Sequence, residues 1–320
     1  MDYFDWYDWR TSGYMVGSHT VEKVRLMAKY VVAVSGGVDS IALLHMLVNG
    51  NIPNSNLQIP NSELVVAHFD HGIRLESADD SEFVRALANR YGIAFETKRE
   101  ELGNGASEEV ARDRRYAFLR DIAMKHKAKI MTAHHADDVV ETIAINLVRG
   151  TGWRGLAVLG STEIERPLLS TTKSELVKYA DEHKLEWRED VTNKDTRYLR
   201  NDLRQKLEKL DADSHRLLRL YRNHQHIVRH LIDTETNRII GTAPYDRHLF
   251  ISVPESAGIE LLRAVFVHEI GYSPTRPQLQ RALHAIKVLH AGKQYDVTTG
   301  VSVRFTRTHY VVERAPKVVL

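Results

Sequence analysis

Six consecutive residues, Ser35-Gly36-Gly37-Val38-Asp39-Ser40, set two glycines, two hydroxyls and a carboxylate between the β-branched run Val31–Val34 and a helix-forming stretch that begins at Asp39. Paired glycines let a backbone turn sharply and bring successive N–H groups close to a ligand. A helix starting there adds unpaired N–H groups and a partial positive charge, which suits an anion. The same residues could also form a plain strand–helix turn capped by Asp39 or Ser40. No G-x-x-x-x-G-K-[ST] occurs in the chain. A formal G-x-G-x-x-G runs from Gly150 to Gly155, but it follows a helix rather than a strand and reads as a flexible turn.

A second group of chemistry-bearing residues is carboxylate-rich. Asp137, Asp138 and Glu141 fall at i, i+1 and i+4 of one predicted helix, so Asp138 and Glu141 share a face that suits an ammonium ion or its deprotonation. Acidic residues favoured by the helix dipole would give the same spacing. Arg112 and Arg115, three apart on another helix, could clamp a phosphate or a base. Arg200, Asn201 and Arg204 suit phosphodiester contacts. They open a basic run from Arg197 to His230 with nine Lys/Arg against four Asp/Glu. His68, His71, His134 and His135 lie at strand ends, and their spacing closes no zinc site.

The elements that must position these residues alternate. Strands are predicted at 31–34, 64–67, 94–97, 129–133 and 164–169. Helices follow at 39–47, 77–91, 107–125 (Ser107 as N-cap), 137–149 and 174–183. That order implies right-handed βαβ crossovers and an α/β, doubly wound, Rossmann-like parallel sheet, with ligands outside the carboxyl ends of its strands. Beyond Arg204 the pattern changes to a long helix over 203–232, helices at 259–270 and 276–290, and alternating strands over 295–312, a smaller helical α+β domain. The expected division is an extension at 1–19, a nucleotide-binding domain at 20–205, a helical connector at 206–245 and a small domain at 246–320.

The chain has 320 residues, 44 Lys+Arg, 42 Asp+Glu and no cysteine. The missing thiols exclude disulfide scaffolds, thiolate metal sites, iron–sulfur clusters and cysteine nucleophiles or sulfur carriers. No apolar stretch approaches the roughly 18 residues that would span a bilayer, and the acidic, aromatic first ten residues do not resemble a signal peptide. A cytoplasmic protein with no membrane partner is expected.

The hexapeptide resembles the pyrophosphate loop of the N-type ATP pyrophosphatase (PP-loop) superfamily. The ordered set Ala67-His68-Phe69-Asp70-His71-Gly72, Glu108–Arg112 with Arg115-Tyr116, Thr132–Thr142, Arg166-Pro167-Leu168-Leu169, Trp187–Asp190 and Arg200-Asn201 with Arg204 is similar to the tRNA(Ile)-lysidine synthase family, in a short form without that family's extra C-terminal domain. The resemblance implies a ligase using ATP and Mg²⁺. It would join free L-lysine to C2 of the wobble cytidine of a CAU-anticodon tRNA(Ile) through an adenylated intermediate, releasing AMP and pyrophosphate. Ser35, Gly36, Gly37, Val38, Asp39 and Ser40, with His68 and His71, would then hold ATP, and Asp39 the metal. Asp39, Arg112, Arg115, Asp138 and Glu141 would be catalytic. Asp137, Asp138 and Glu141 would bind lysine, and Arg200, Asn201 and Arg204 the tRNA. An NAD-synthetase-like ligase and a non-catalytic nucleotide- or RNA-binding protein remain the alternatives, and a homodimer is left open.

Overall fold

The computed structural model describes residues 29–53, 55, 58–72, 77–103, 108–188, 203–204, 206–207 and 210–314. The extension at 1–19, the cap at Ser107, and Arg200 and Asn201 lie outside the described residues. The chain divides into two compact units, one containing residues 29–35 and 58–131, the other residues 36–53 and those from 132 onward.

In the first unit, β1 (Tyr30–Ala33), β2 (Leu64–Asp70), β3 (Ala94–Arg99) and β4 (Lys129–Met131) pair in the order β3-β2-β1-β4, every pair parallel. All seven residues of β2 are buried, which explains why Leu64–Ala67 reads as a continuous apolar run rather than an alternation. Helix α2 follows β2 at Ser77–Arg90 and α3 follows β3 at Glu108–His126 (α1, Val38–Val48, belongs to the second unit). Val84 and Ala88 of α2 and Phe118 and Leu119 of α3 are buried, and Phe118 meets Phe69 of β2 with ring centroids 5.6 Å apart. The chain moves outward from β1 to β2 to β3, then returns to the far side of β1 as β4. Right-handed crossovers therefore put α2 and α3 on opposite faces, and the connections after β1 and β4 leave in opposite directions. Such a switch point is where open α/β sheets bind ligands.

The second unit receives both of those connections. After α1 come α4 (Ala136–Val148), β5 (Ile164–Glu165), α5 (Lys173–Glu182) and the 29-residue α6 (Ala212–Ile240). Thr132 donates its N–H to Glu165 O at 3.0 Å, so β5 runs beside the segment leaving β4. The strand is two residues long rather than the six expected, and Pro167 follows closely with no N–H for a ladder. The long helix also differs from 203–232: residues 203–204 and 206–207 are helical, but Asp211 starts a new helix by accepting from Ser214 N–H at 2.6 Å, so α6 begins at Ala212 and runs to Ile240. The Gly150–Gly155 segment is the expected post-helix turn. It is held rather than flexible, with Asn146 Nδ2 donating to Gly155 O at 2.6 Å and Thr151 Oγ1 to Asn146 O at 2.7 Å.

The rest of this unit is α7 (Arg247–Ser252), α8 (Glu255–Ile270) and α9 (Arg276–Val288) over an antiparallel sheet β6-β9-β8-β7, whose strands span Tyr245–Asp246, His309–Arg314, Val301–Phe305 and Gln294–Thr298. Leu262, Val265, Phe266, Leu279, Ile286, Val303 and Tyr310 are among the buried residues of its core. Arg247 is buried there, donating to the carbonyls of Ile286, Leu289 and Thr306 beneath the Phe305 ring. Arg154 ties this region to α6 and α8. Its Nε donates to Glu260 at 2.7 Å, and its Nη2 lies 2.7 Å from Asp233.

Candidate active site

The loop after β1 keeps α1 open at its N-terminus. Gly36 has φ +95°, a conformation that excludes most side chains, and its carbonyl accepts from Arg188 N–H at 2.9 Å. Gly37 occupies the N-cap position with extended backbone, and no side chain caps the helix. Ser40 does not cap either; its hydroxyl donates back to Gly37 O at 2.9 Å. The plain capped turn is therefore not what the hexapeptide forms, and the first turn of α1 presents backbone rather than a resident side-chain acceptor.

Asp39 stands in that first turn, and Lys173 Nζ donates to both of its carboxylate oxygens, at 2.7 and 2.8 Å. Lys173 is the first residue of α5. That helix start is set by a reciprocal capping box in which Thr172 accepts from Glu175 N–H and Glu175 accepts from Thr172 N–H. The Lys173 backbone N–H donates to Asp137 Oδ2 at 2.7 Å, joining α5 to α4. Sequence reading did not single out Lys173; its only signal is the cap that precedes it.

The start of α4 supplies the other half. His135 is its N-cap and is buried; Asp138 accepts from His135 N–H at 3.0 Å, while His135 Nδ1 accepts from Asp137 N–H at 3.3 Å. The imidazole faces three carboxylates: Nε2 is 3.7 Å from Asp39 Oδ2 and 3.6 Å from Asp138 Oδ2, and Nδ1 is 3.5 Å from Asp137 Oδ2. Burial opposes its protonation, but the hydrogen bond with Asp137 and the charges of Asp138 and Asp39 outweigh burial and raise its pKa. Nδ1 has two incompatible uses. Neutral His135 accepts the Asp137 N–H there, whereas the protonated ring turns that atom into a donor toward the Asp137 carboxylate. Burial pushes the Asp137 carboxyl up, yet His135 and the Lys173 N–H prevail and hold it at about 2.

Glu141, one turn further along α4, is buried and accepts from Arg204 twice, from Nε at 2.5 Å and Nη2 at 3.1 Å. Residues assigned to lysine and to tRNA by sequence thus form one bidentate pair. The Glu141 hydrogen bond, together with the charges of Asp138 and Asp39, raises the Arg204 pKa against the effect of burial. The structure therefore gathers Gly36–Ser40, Asp137, Asp138, Glu141 and Arg204 in the second unit, with Lys173 and His135. Among the described residues, the carboxylates of Asp39, Asp137, Asp138 and Glu141 meet the cations of Lys173 and Arg204 and the imidazoles of His135 and His215.

The other sequence-predicted residues that the structure describes belong to the first unit. Ser35 ends the segment after β1. His68 is buried, and its Nδ1 lies 2.8 Å from Val34 O. Beyond it Asp70 accepts from Gly72 N–H at 2.8 Å and lies 3.4 Å from Arg99, while the His71 ring stands edge-on to Phe69. Gly72 needs its identity: φ is +63° and a Cβ would come within 2.9 Å of the Glu101 backbone. Arg112 and Arg115 both lie over the Tyr116 ring, 5.2 and 5.6 Å from its centroid.

His135 makes stability pH-dependent in a defined direction. A raised folded-state pKa contributes stability fully below the unfolded value near 6.5, and that contribution is lost as pH rises through the raised value. The Asp137 contribution has the opposite sign, present above about 3.8 and lost as pH falls toward 2. Urea midpoints measured upward from pH 6 are expected to decline, and His135→Asn, which can still cap α4, is expected to flatten that decline. An identical slope in the variant would mean the ring is not charged by its neighbours.

A glycine turn that follows a parallel strand and opens a helix with no side-chain cap, with an acidic first turn, is the arrangement of a PP-loop nucleotide-binding protein. The chain belongs to that family: the PP-loop domain model matches residues 18–210. Within it, the chain is 40% identical over 190 residues to tRNA(Ile)-lysidine synthase of Exiguobacterium sibiricum, a match that covers 57% of this chain and 43% of that protein. It is 42% identical over 185 residues to tRNA(Ile)-lysidine synthase of Thermus thermophilus, covering 54% and 34%. The bifunctional protein TilS/HprT of Listeria monocytogenes matches at 38% over 197 residues, covering 58% and 30%. The chain thus spans less than half the length of each of these relatives.

Proposed function

We propose that this protein joins free L-lysine to C2 of the wobble cytidine of a CAU-anticodon tRNA(Ile), with ATP converted to AMP and pyrophosphate. One observation carries the reading: the PP-loop turn, with no side-chain cap, lies in one unit with the carboxylates Asp39, Asp137, Asp138 and Glu141. The names of the relatives at about 40% identity supply the substrate pair.

In the first step the cytidine C2 oxygen attacks the α-phosphorus of ATP, forming an O–P bond and expelling pyrophosphate. Backbone N–H groups from Gly36 to Ser40 and the Lys173 ammonium offer donors to the negative charge that grows on the phosphoryl oxygens. Arg112 and Arg115, with His68 and His71, are assigned to the nucleotide side. Mg²⁺ would neutralise phosphate charge, and the donor set fits it: Asp39 offers hard carboxylate oxygens and is partly exposed. Among the described residues no group of three or more His, Asp or Glu side chains is arranged to hold a metal alone. One or two carboxylates, with substrate phosphates and water, are the usual ligands of Mg²⁺ at a nucleotide site.

In the second step the lysine ε-amine, after losing a proton, attacks C2, and the C2–O bond breaks to release AMP. Asp138, with Asp137 and Glu141 adding to the field, attracts the ammonium and lowers the cost of placing it beside the activated base. Among the described residues no helix is long and apolar enough to cross a membrane, and we assign the activity to the cytoplasm. Pyrophosphate release measured with and without tRNA(Ile) and lysine tests the proposal. Release that needs tRNA(Ile) for the first turnover, and lysine as well for continued turnover, is expected. Release with ammonia and a nucleotide acid instead would make the chain an NAD-synthetase-like ligase, and no release under any condition would make it a binding protein.

A further inference from the structure

A cavity of about 400 Å³ lies beside the candidate site, within the same unit. Its floor is Val139, Pro167 and Leu169, and its rim is Arg216, Arg219 and Arg222 of α6. His215, the residue before Arg216 on α6, lies 4.0 Å from Asp137 Oδ1, so the arginine-bearing helix that lines the cavity also reaches the proposed lysine-binding carboxylates. The three arginines recur at every third position, which on a helix spaces them over ~9 Å along one side. They do different jobs. Arg222 is used by the fold, donating from Nε to Val158 O at 3.0 Å and from Nη2 to Leu159 O at 3.3 Å. Arg166 also donates to Leu159 O, at 3.1 Å, and burial together with this second guanidinium lowers the pKa of Arg222. Among the described residues no salt bridge holds Arg216, Arg219 or Arg222. Glu175 feels the charge of Arg219 without pairing with it.

Clustered cations around an apolar floor suit a ligand with both a negative charge and a flat apolar part. Inorganic phosphate has no use for the floor, and an aliphatic chain has no use for the arginines. A nucleotide in a single-stranded RNA loop has both, because unpaired bases can be splayed out and packed while arginine forks grip the phosphates. We infer that this cavity takes a nucleotide flanking the modified cytidine, with Arg216 and Arg219 on its phosphodiester backbone. The inference rests on the proposed tRNA substrate and names where on the chain the loop is gripped.

The test is titration of the full chain with an RNA hairpin carrying the CAU loop, at several KCl concentrations. Arg216→Gln/Arg219→Gln, which spares the fold-bound Arg222, is expected to weaken binding about 10-fold or more at low salt. It should also flatten the plot of log K against log salt by about 1.4, the share of two single-strand phosphate contacts. Arg216→Lys/Arg219→Lys should restore most of that slope, and ATP affinity should be unchanged in both variants. Affinity and slope equal to the unaltered chain would overturn the inference alone. So would displacement of the hairpin by inorganic phosphate at matched ionic strength, which would mark a free-anion site. Failure of the unaltered chain to bind the hairpin would remove the tRNA reading itself.

Discussion

Asp39→Ala is expected to reduce tRNA- and lysine-dependent pyrophosphate release by at least about a thousandfold, while the thermal midpoint barely moves. The two effects separate because Asp39 does little for the fold. It is partly exposed, its partner Lys173 is 44% exposed, and an ion pair so open to solvent contributes under about 1 kcal/mol. Its position in the first turn of α1 adds a few tenths more through the helix dipole. At the reacting phosphate the balance reverses. The carboxylate is the hard ligand assigned to Mg²⁺, and it also holds the Lys173 ammonium at the mouth of the turn. Losing preorganised charge where a phosphoryl group transfers costs orders of magnitude in rate. Asp39→Asn should be nearly as inactive, since the amide keeps the shape and discards the charge. Pyrophosphate release followed beside a melting curve decides it, and an active, well-folded Asp39→Ala protein would remove the PP-loop turn from the chemistry.

The parts of this site that could be read in the sequence are those written locally. Ser35–Ser40 announces a turn that only glycine can make at Gly36, and strand–helix alternation places it at the end of β1. Asp138 and Glu141 share a helix, so spacing alone puts them on one face. Pairings made across the chain leave no such trace. Lys173 meets Asp39 from 134 positions away, and its own neighbourhood, a Thr-Lys-Ser-Glu helix start, is that of any capped surface helix. Arg204 pairs with Glu141 across 63 positions, a contact that its basic neighbourhood does not announce, and a buried carboxylate outcompetes solvent for a guanidinium. Element ends failed for local reasons that periodicity does not register. Pro167 stops β5, and the Asp211 cap begins a new helix at Ala212 instead of continuing the helical residues from 203.

The Glu141–Arg204 pair makes the second large prediction, because here structure and function are expected to fail together. Glu141 is only 5% exposed, so Glu141→Ala leaves the guanidinium facing a vacated, largely dehydrated position. Breaking a buried pair by removing one partner typically costs 3–5 kcal/mol. Arg204 keeps about a third of its surface in water, so solvent takes up part of the loss and about 2 kcal/mol is expected. Activity should fall about a hundredfold, since the released Arg204 would remain beside Asp138 and Asp39 and offset the negative charge proposed to attract lysine. That account is separable from a simple loss of one lysine ligand. Arg204→Met in the Glu141→Ala background removes the stranded cation, so the double variant should be more stable than the sum of the single losses predicts, with a coupling of about 1.5 kcal/mol in a double-mutant cycle. It should also recover lysine affinity relative to Glu141→Ala alone. Strictly additive stabilities, measured by urea unfolding, would mean that the pair does not act as a unit. Unrecovered lysine affinity in the double variant would instead make Glu141 itself the group that holds the ammonium.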